Sequence, residues 1–290
     1  MYNFKKDAKV YIYSEGILYP MDVYPDISIS QTLKENEYGK KTLHNPLSLY
    51  KGATISEYNV ANFSFTVPVR NSIDLLLVSD SFKADYYSGN LSSIDIYIKL
   101  SNTFYKLTTA VFESLVYNIE PTSILTISIS GTAAKLDRID SLPTTPEASI
   151  ADPYVIIRGT EVKVNNQVLD SIAAINLEIN NDVNWIPNNT VYDAVHGTTS
   201  YRTKYALSGR RISGSITQFL TNNNKTLGAD YSTSQSISIK LFTDVNTQPF
   251  LLFNLAETVY TRRLSLEELV TRVYDFRLTS SNIAIIPNVK

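Results

Sequence analysis

The chain of 290 residues reads as a mainly β protein made of two tandem copies of one module, with one or two short helices at most in each copy. Three observations predict this. Apolar residues alternate with Ser and Thr over many short segments, the period of a half-buried strand. Helix signals are few. The segment Ala84-Asp85-Tyr86-Tyr87-Ser88, followed by alternating Ile94, Ile96 and Ile98, returns as Ala229-Asp230-Tyr231-Ser232, followed by Ile237, Ile239 and Leu241. The two triplets lie about 145 positions apart, half the chain, as expected of an internal repeat.

The elements follow in order. Val10 and Ile12, then Ile17 to Tyr19, outline a first hairpin. Ile27 and Ile29 alternate with Ser28 and Ser30, and Phe63, Phe65 and Val67 with Ser64 and Thr66. Ile94 to Ile98 and Phe104 to Leu107 form another pair, and Ile124 to Ser130 closes the half. The second half repeats the plan at Val155 to Ile157, Val162 to Val164, Ile172 to Ile179, Ile212 to Ile216, Ser236 to Phe242, Phe250 to Leu255 and Ile283 to Ile286. Polar alternates of this kind leave one face of each strand wet or packed on another subunit. The anchors matched by residue type are Val10 with Val155, Ala84 with Ala229, Ile94 with Ile237 and Ile127 with Ile283, with offsets that drift as loop insertions would make them.

Ser141-Leu142-Pro143-Thr144-Thr145-Pro146-Glu147 breaks both ladder and helix, so domain 1 is expected over 1–140, a linker over 141–152 and domain 2 over 153–290. Two segments carry helix signals, each short and each also readable as a strand, so one or two small helices are expected. One opens at the capping-box pattern Ser265-Leu266-Glu267-Glu268, with Leu266, Leu269, Val270 and Val273 at helical spacing. The other starts near Ser72 with Ile73, Leu76 and Leu77. Between the second and third β segments of each half runs a long polar loop, Leu33 to Tyr58 and Asn180 to Ser208. Loops of that length are usually functional. The two histidines, His44 and His196, fall in these loops.

Composition excludes several function classes. A net charge of −2 offers no basic field for nucleic acid and no polybasic cluster for a membrane surface. The absence of cysteine removes disulfides, thiolate metal sites and a Cys nucleophile. Met1 to Asp7 is followed by no apolar core of an export signal, and Leu75 to Val78 is far short of a membrane span, so assembly in a host cytoplasm is expected. No Gly-x-Ser-x-Gly elbow, His-Glu-x-x-His pair, calcium loop or glycine-rich phosphate loop occurs, so no enzyme activity and no cofactor are expected. The pairs Arg210-Arg211 and Arg262-Arg263 suit solvent or salt bridges between molecules better than a phosphate site.

The layout resembles phage tail tube proteins and their relatives in baseplate hubs. The resemblance is carried by strand-loop-strand units at Ile27 to Leu33 with Asn62 to Val67, and Ala174 to Ile179 with Ile212 to Phe219. It implies β-sandwich or half-barrel domains whose inner strands form a continuous barrel around a channel. Most such proteins have one domain and form hexamers. Two domains here imply homotrimers with pseudo-six-fold rings, stacked into a DNA-conducting tube of the virion tail. It also implies contacts with the tape measure, the baseplate and, in a contractile tail, the sheath, and none with membrane. The channel-lining candidates are Ser28, Ser30, Ser64, Thr66, Asn176, Glu178, Ser213 and Ser215. The candidates for contacts between rings or subunits are Tyr38, His44, Tyr50, Trp185, Tyr192, His196 and Tyr201. A baseplate hub or tail-completion ring is the nearest alternative, and a carbohydrate-binding or adhesive β-sandwich the alternative of another class.

Overall fold

The computed structural model describes residues 8–14, 16–42, 45–70, 74, 78, 84–85, 90–147, 153–186, 201–202, 204–221, 224, 231–243, 249–266, 270–279 and 284–287. The first half contributes β1 (Ala8–Ser14), β2 (Ile17–Met21), β3 (Ser28–Ser30), β4 (Leu33–Thr42), β5 (Asn45–Tyr58), β6 (Ala61–Pro68), β7 (Ala84–Asp85), β8 (Asn90–Leu91), β9 (Ile94–Leu100), β10 (Thr103–Ile119) and β11 (Thr126–Ile139). The second contributes β12 (Gly159–Val164), β13 (Gln167–Leu169), β14 (Ile172–Ile186), β15 (Lys204–Phe219), β16 (Tyr231–Phe242), β17 (Leu251–Leu266), β18 (Val270–Leu278) and β19 (Ala284–Pro287). The protein is mainly β, as the alternation predicts.

Fifteen of these strands form one antiparallel sheet. Within the first half the ladders run β2-β1-β9-β10-β11-β6-β3, and within the second β13-β12-β16-β17-β18-β15-β14. The two orders match strand for strand. A ladder between β10 and β14 joins them, from Ser114 opposite Asn180 to Ile119 opposite Ile175.

Local chemistry sets the turns. Gly16, at φ 88°, closes the turn between Ser14 and Ile17, a conformation open to glycine without strain. Asn165 and Asn166, both at positive φ, join β12 to β13, as a two-residue hairpin turn requires. Thr109 and Glu257 are left-handed residues at matching places in β10 and β17. Each stands just before the residue, Ala110 or Thr258, at which the ladder to β9 or β16 has shifted register. A pair of cross-strand partners also corresponds. Phe63 of β6 lies opposite Gly131 of β11, and Gly214 of β15 lies opposite Phe276 of β18, the same pair with its residues exchanged. In each case the ring covers the space the missing side chain leaves open.

The apolar alternates of both halves share one core, including Phe63, Phe65, Phe112, Tyr117, Phe253 and Phe276. A smaller cluster of Leu91, Val111, Ala134 and Trp185 packs beside it.

The structure corrects four expectations. Leu266 and Val270 to Val273 are strand, not helix. Leu266 pairs with Val270 and Ser265 with Thr271 across the end of the β17–β18 ladder, so cross-strand partners override a helical spacing. Glu267, Glu268 and Leu269 lie outside the described residues. The first polar loop is a hairpin, β4 on β5, from Leu33 opposite Tyr58 to Thr42 opposite Asn45. The second is strand up to Ile186 and again from Lys204, with Ile186 opposite Lys204. Two of the repeat anchors misalign. The counterpart of β1 is β12, whereas Val155 lies in a crossing segment that receives Leu125 N–H and donates to the Val69 carbonyl. Counted from Thr109 and Glu257, Leu107 matches Leu255, so their partners Ile96 and Ile237 correspond, two residues from the Ile94 anchor, while Ile283, matched to Ile127, lies outside the described residues. Near the second predicted helix, Asp74 and Val78 are helical, while Ile73, Leu76 and Leu77 lie outside the described residues.

Candidate functional site on the polar face of the sheet

Antiparallel register turns strand alternation into rows of side chains. One row runs unbroken through Ser28, Ser64, Ser130, Ser114, Asn180 and Arg211, from β3 across the β10–β14 junction to β15. The next runs through Thr66, Ser128, Val116, Glu178, Ser213 and Arg277. A third passes from Thr126 through Asn118, Asn176, Ser215 and Asp275 to Thr261. Ile, Leu and Phe at the intervening positions are buried on the opposite face. The eight candidates read from the alternation, Ser28, Ser30, Ser64, Thr66, Asn176, Glu178, Ser213 and Ser215, all sit on this one face. Ser28 is opposite Ser64, Asn176 opposite Ser215 and Glu178 opposite Ser213.

Short hydrogen bonds fix the polar groups. Thr66 Oγ1 donates to Asp26 Oδ2 at 2.6 Å and sits 3.2 Å from Ser128 Oγ, which is left to donate to it. Asn176 Nδ2 donates to Asn118 Oδ1 at 2.9 Å across the junction, and Asn180 Nδ2 to Glu178 Oε1 at 2.8 Å. Arg263 Nε donates to Asp275 Oδ2 at 2.7 Å. The face is therefore rich in hydroxyls and amides, and its charges are mixed in sign. Such a surface is strongly hydrated and makes few cationic contacts to a polyanion.

Among the described residues no group of three or more His, Asp or Glu is placed to hold a metal ion. His44, Tyr192 and His196 lie outside the described residues. Tyr38 and Tyr50 stand in β4 and β5, opposite Gly52 and Gly39 respectively.

Trp185 and Tyr201 are brought to a different place from the one their loop suggested. Trp185 lies in β14, only 9% exposed, and packs on first-half residues. Its Nε1 donates to Thr132 Oγ1 at 2.9 Å, and that hydroxyl in turn donates to Glu113, the extra residue of a bulge in β10. Burial pushes the Glu113 carboxyl above its usual range, against the pull of the Thr132 hydrogen bond. The Tyr205 hydroxyl donates to the Leu91 carbonyl at 2.7 Å. The Tyr201 ring stacks on Tyr58 at 4.5 Å and receives Lys135 at 4.8 Å. The ends of β14 and β15 thus form an arm laid over the first half.

Sequence reading missed part of the face. Thr126, Ser128 and Ser130 carry the same signal as the strands it singled out, since they flank Ile127 and Ile129. Ser114 and Asn118 were hidden because the Glu113 bulge breaks the alternation of β10.

A family model described as the Bacteriophage Baseplate Tube Protein Family matches residues 1–287. Among curated proteins no match was found.

Proposed function

Because the chain belongs to the bacteriophage baseplate tube protein family, a structural family of the phage tail, we propose that it is a non-enzymatic subunit of a ring whose lumen is lined by the polar face. Its partners are other tail and baseplate proteins. In this reading the halves 1–140 and 153–290 are copies of one module, so three chains supply the six positions of a pseudo-six-fold ring. The rings stack into a channel that genomic DNA traverses. The observation that carries this is the row from Ser28 to Arg211, which crosses from one half to the other without a break.

The physics supports such a role. A ring buries strand edges that would otherwise template aggregation. Head-to-tail contacts close into rings, and rings can then stack. A lumen of hydroxyls, amides and mixed charges makes few cationic contacts to phosphate, so DNA slides without sticking. The chain's net charge of −2 agrees with this.

Negative-stain microscopy of the purified protein tests the proposal. Rings or tubes with a lumen wide enough for duplex DNA, about 20 Å, are expected, given a major groove alone about 12 Å wide. Long filaments identify a tube subunit and single rings a hub. Particles that stay monomeric at high concentration contradict the reading.

A further inference from the structure

The junction inside the chain shows what the junction between chains must be. In the first half, β9 leaves the edge of β10 after Ala110, and β14 takes its place from Ser114 to Ile119. In the second half, β16 accompanies β17 as far as Thr261, and β17 continues to Leu266. The strand that corresponds to β14 is β3, which ends the sheet at the opposite side. Counting from the bulge residues Thr109 and Glu257, and allowing for the extra Glu113, Leu115, Tyr117 and Ile119 correspond to Arg262, Leu264 and Leu266. In the same way Ile175, Leu177 and Ile179 correspond to Ile27, Ile29 and Gln31.

We infer that β17 of one copy pairs antiparallel with β3 of the next, with Leu264 opposite Ile29 and Arg262 opposite Gln31. This rests on the ring reading above and adds the edges and the register. Two observations favour a second copy as the occupant. Tyr117 is fully buried beside the β14 strand, but its counterpart Leu264 is 50% exposed. Arg262 Nε is buried and finds no acceptor among the described residues, at the position where the incoming strand would begin. A strand edge with an exposed leucine and an orphaned donor suits the addition of a strand.

The arms agree with this arrangement. β14 and β15 extend from the junction over the first half, where Trp185 is received. The segments that correspond to these extensions, β4 and β5, form ladders only with each other among the described residues. The same operation carries that hairpin onto the second half of the neighbouring copy. The polar rows also continue, because the register sets Arg263 opposite Ser30 and Ser265 opposite Ser28.

The chain has no cysteine, so paired substitutions can report the register. Arg263→Cys with Ser30→Cys places two exposed positions directly opposite, about 4.5–5.5 Å apart between Cα atoms, within disulfide range. Arg263→Cys with Ser28→Cys is two residues out of register and serves as the control. On mild oxidation the first pair should give covalent dimers and trimers at about tenfold the yield of the second, whose diagonal Cα distance of about 7–8 Å is too long. Amide exchange on the unsubstituted chain reads the same edges, and protection should rise at 28–30 and 262–266 on assembly. Rings that form with equal cross-linking of both pairs, or without that protection, overturn the register while leaving the ring reading intact. A chain that forms no rings overturns the ring reading itself.

Discussion

Gly131→Ala tests the packing of the sheet most sharply, because the structure states what the added methyl would meet. Its Cβ would stand 2.1 Å from the Val111 carbonyl oxygen and 2.7 Å from the Phe63 ring. The first distance is about 1 Å inside van der Waals contact and involves backbone, so β10 and β11 must separate. Overpacking of this kind costs about 1–3 kcal/mol, and alanine in a strand returns only about 0.5–1 kcal/mol over glycine. A net loss of about 1–2 kcal/mol lowers the melting temperature by roughly 2–8 °C in a chain of this order of size. Thermal unfolding followed by circular dichroism measures it. Truncating the ring as well, with Phe63→Ala, removes the aromatic clash but not the carbonyl one. Gly131→Ala should therefore remain destabilising in that background. Gly214→Ala should behave alike, with its Cβ 2.3 Å from the Asn176 carbonyl oxygen and 2.6 Å from the Phe276 ring. An unchanged or raised melting temperature for either glycine variant would refute the argument.

Three further outcomes follow. Leu264→Asp should leave monomer stability within about 0.5 kcal/mol, since the side chain is exposed, yet abolish rings by sedimentation, because each junction would bury an unpaired carboxylate. Glu113→Gln should raise the melting temperature at pH 7. The Glu113 carboxyl titrates above its usual range in the folded state, so stability is full below the unfolded value and falls as pH rises through the folded one. The gain should therefore fade as the buffer is brought below about pH 4, and a gain independent of pH would contradict the assignment. Asp74→Ala should cost about 1.5–3 kcal/mol in denaturant unfolding, by removing the charged hydrogen-bond acceptor nearest the buried Arg70 guanidinium, which keeps Asp22 at 3.6 Å and the Pro20 carbonyl at 2.7 Å. It leaves the Arg70 guanidinium, whose side chain is 7% exposed, without the carboxylate 3.3 Å away. Arg70→Met with Asp74→Leu should cost much less than Asp74→Ala alone.

The polar face was legible because Ser64 sits between buried Phe63 and Phe65, and Ser28 and Ser213 each follow a buried isoleucine, Ile27 and Ile212, and period two needs no partner to be seen. The junction was not, because pairing between β10 and β14 is a long-range choice and Glu113 hides the phase of the strand that makes it. The helix expected from Ser265 failed for a related reason. Leu266 and Val270 are four apart on a helix but also face each other across a hairpin end, and only the β18 ladder decides between these. Residue-type matching put Ile94 and Ile237 on strands of equivalent order, β9 and β16, but two residues out of step, and misplaced Val155, since insertions shift apolar residues while ladders keep their order. Trp185 illustrates the limit on site residues. An aromatic in a polar stretch looks like an exposed anchor until the arm that carries it is seen to lie on Val111 and Ala134.

The number of chains in one ring tests the central claim most directly. Native mass measurement together with class averages of end-on particles should find three chains and six similar lobes around the lumen. Six chains in a ring, or three lobes without an internal repeat, would contradict the account.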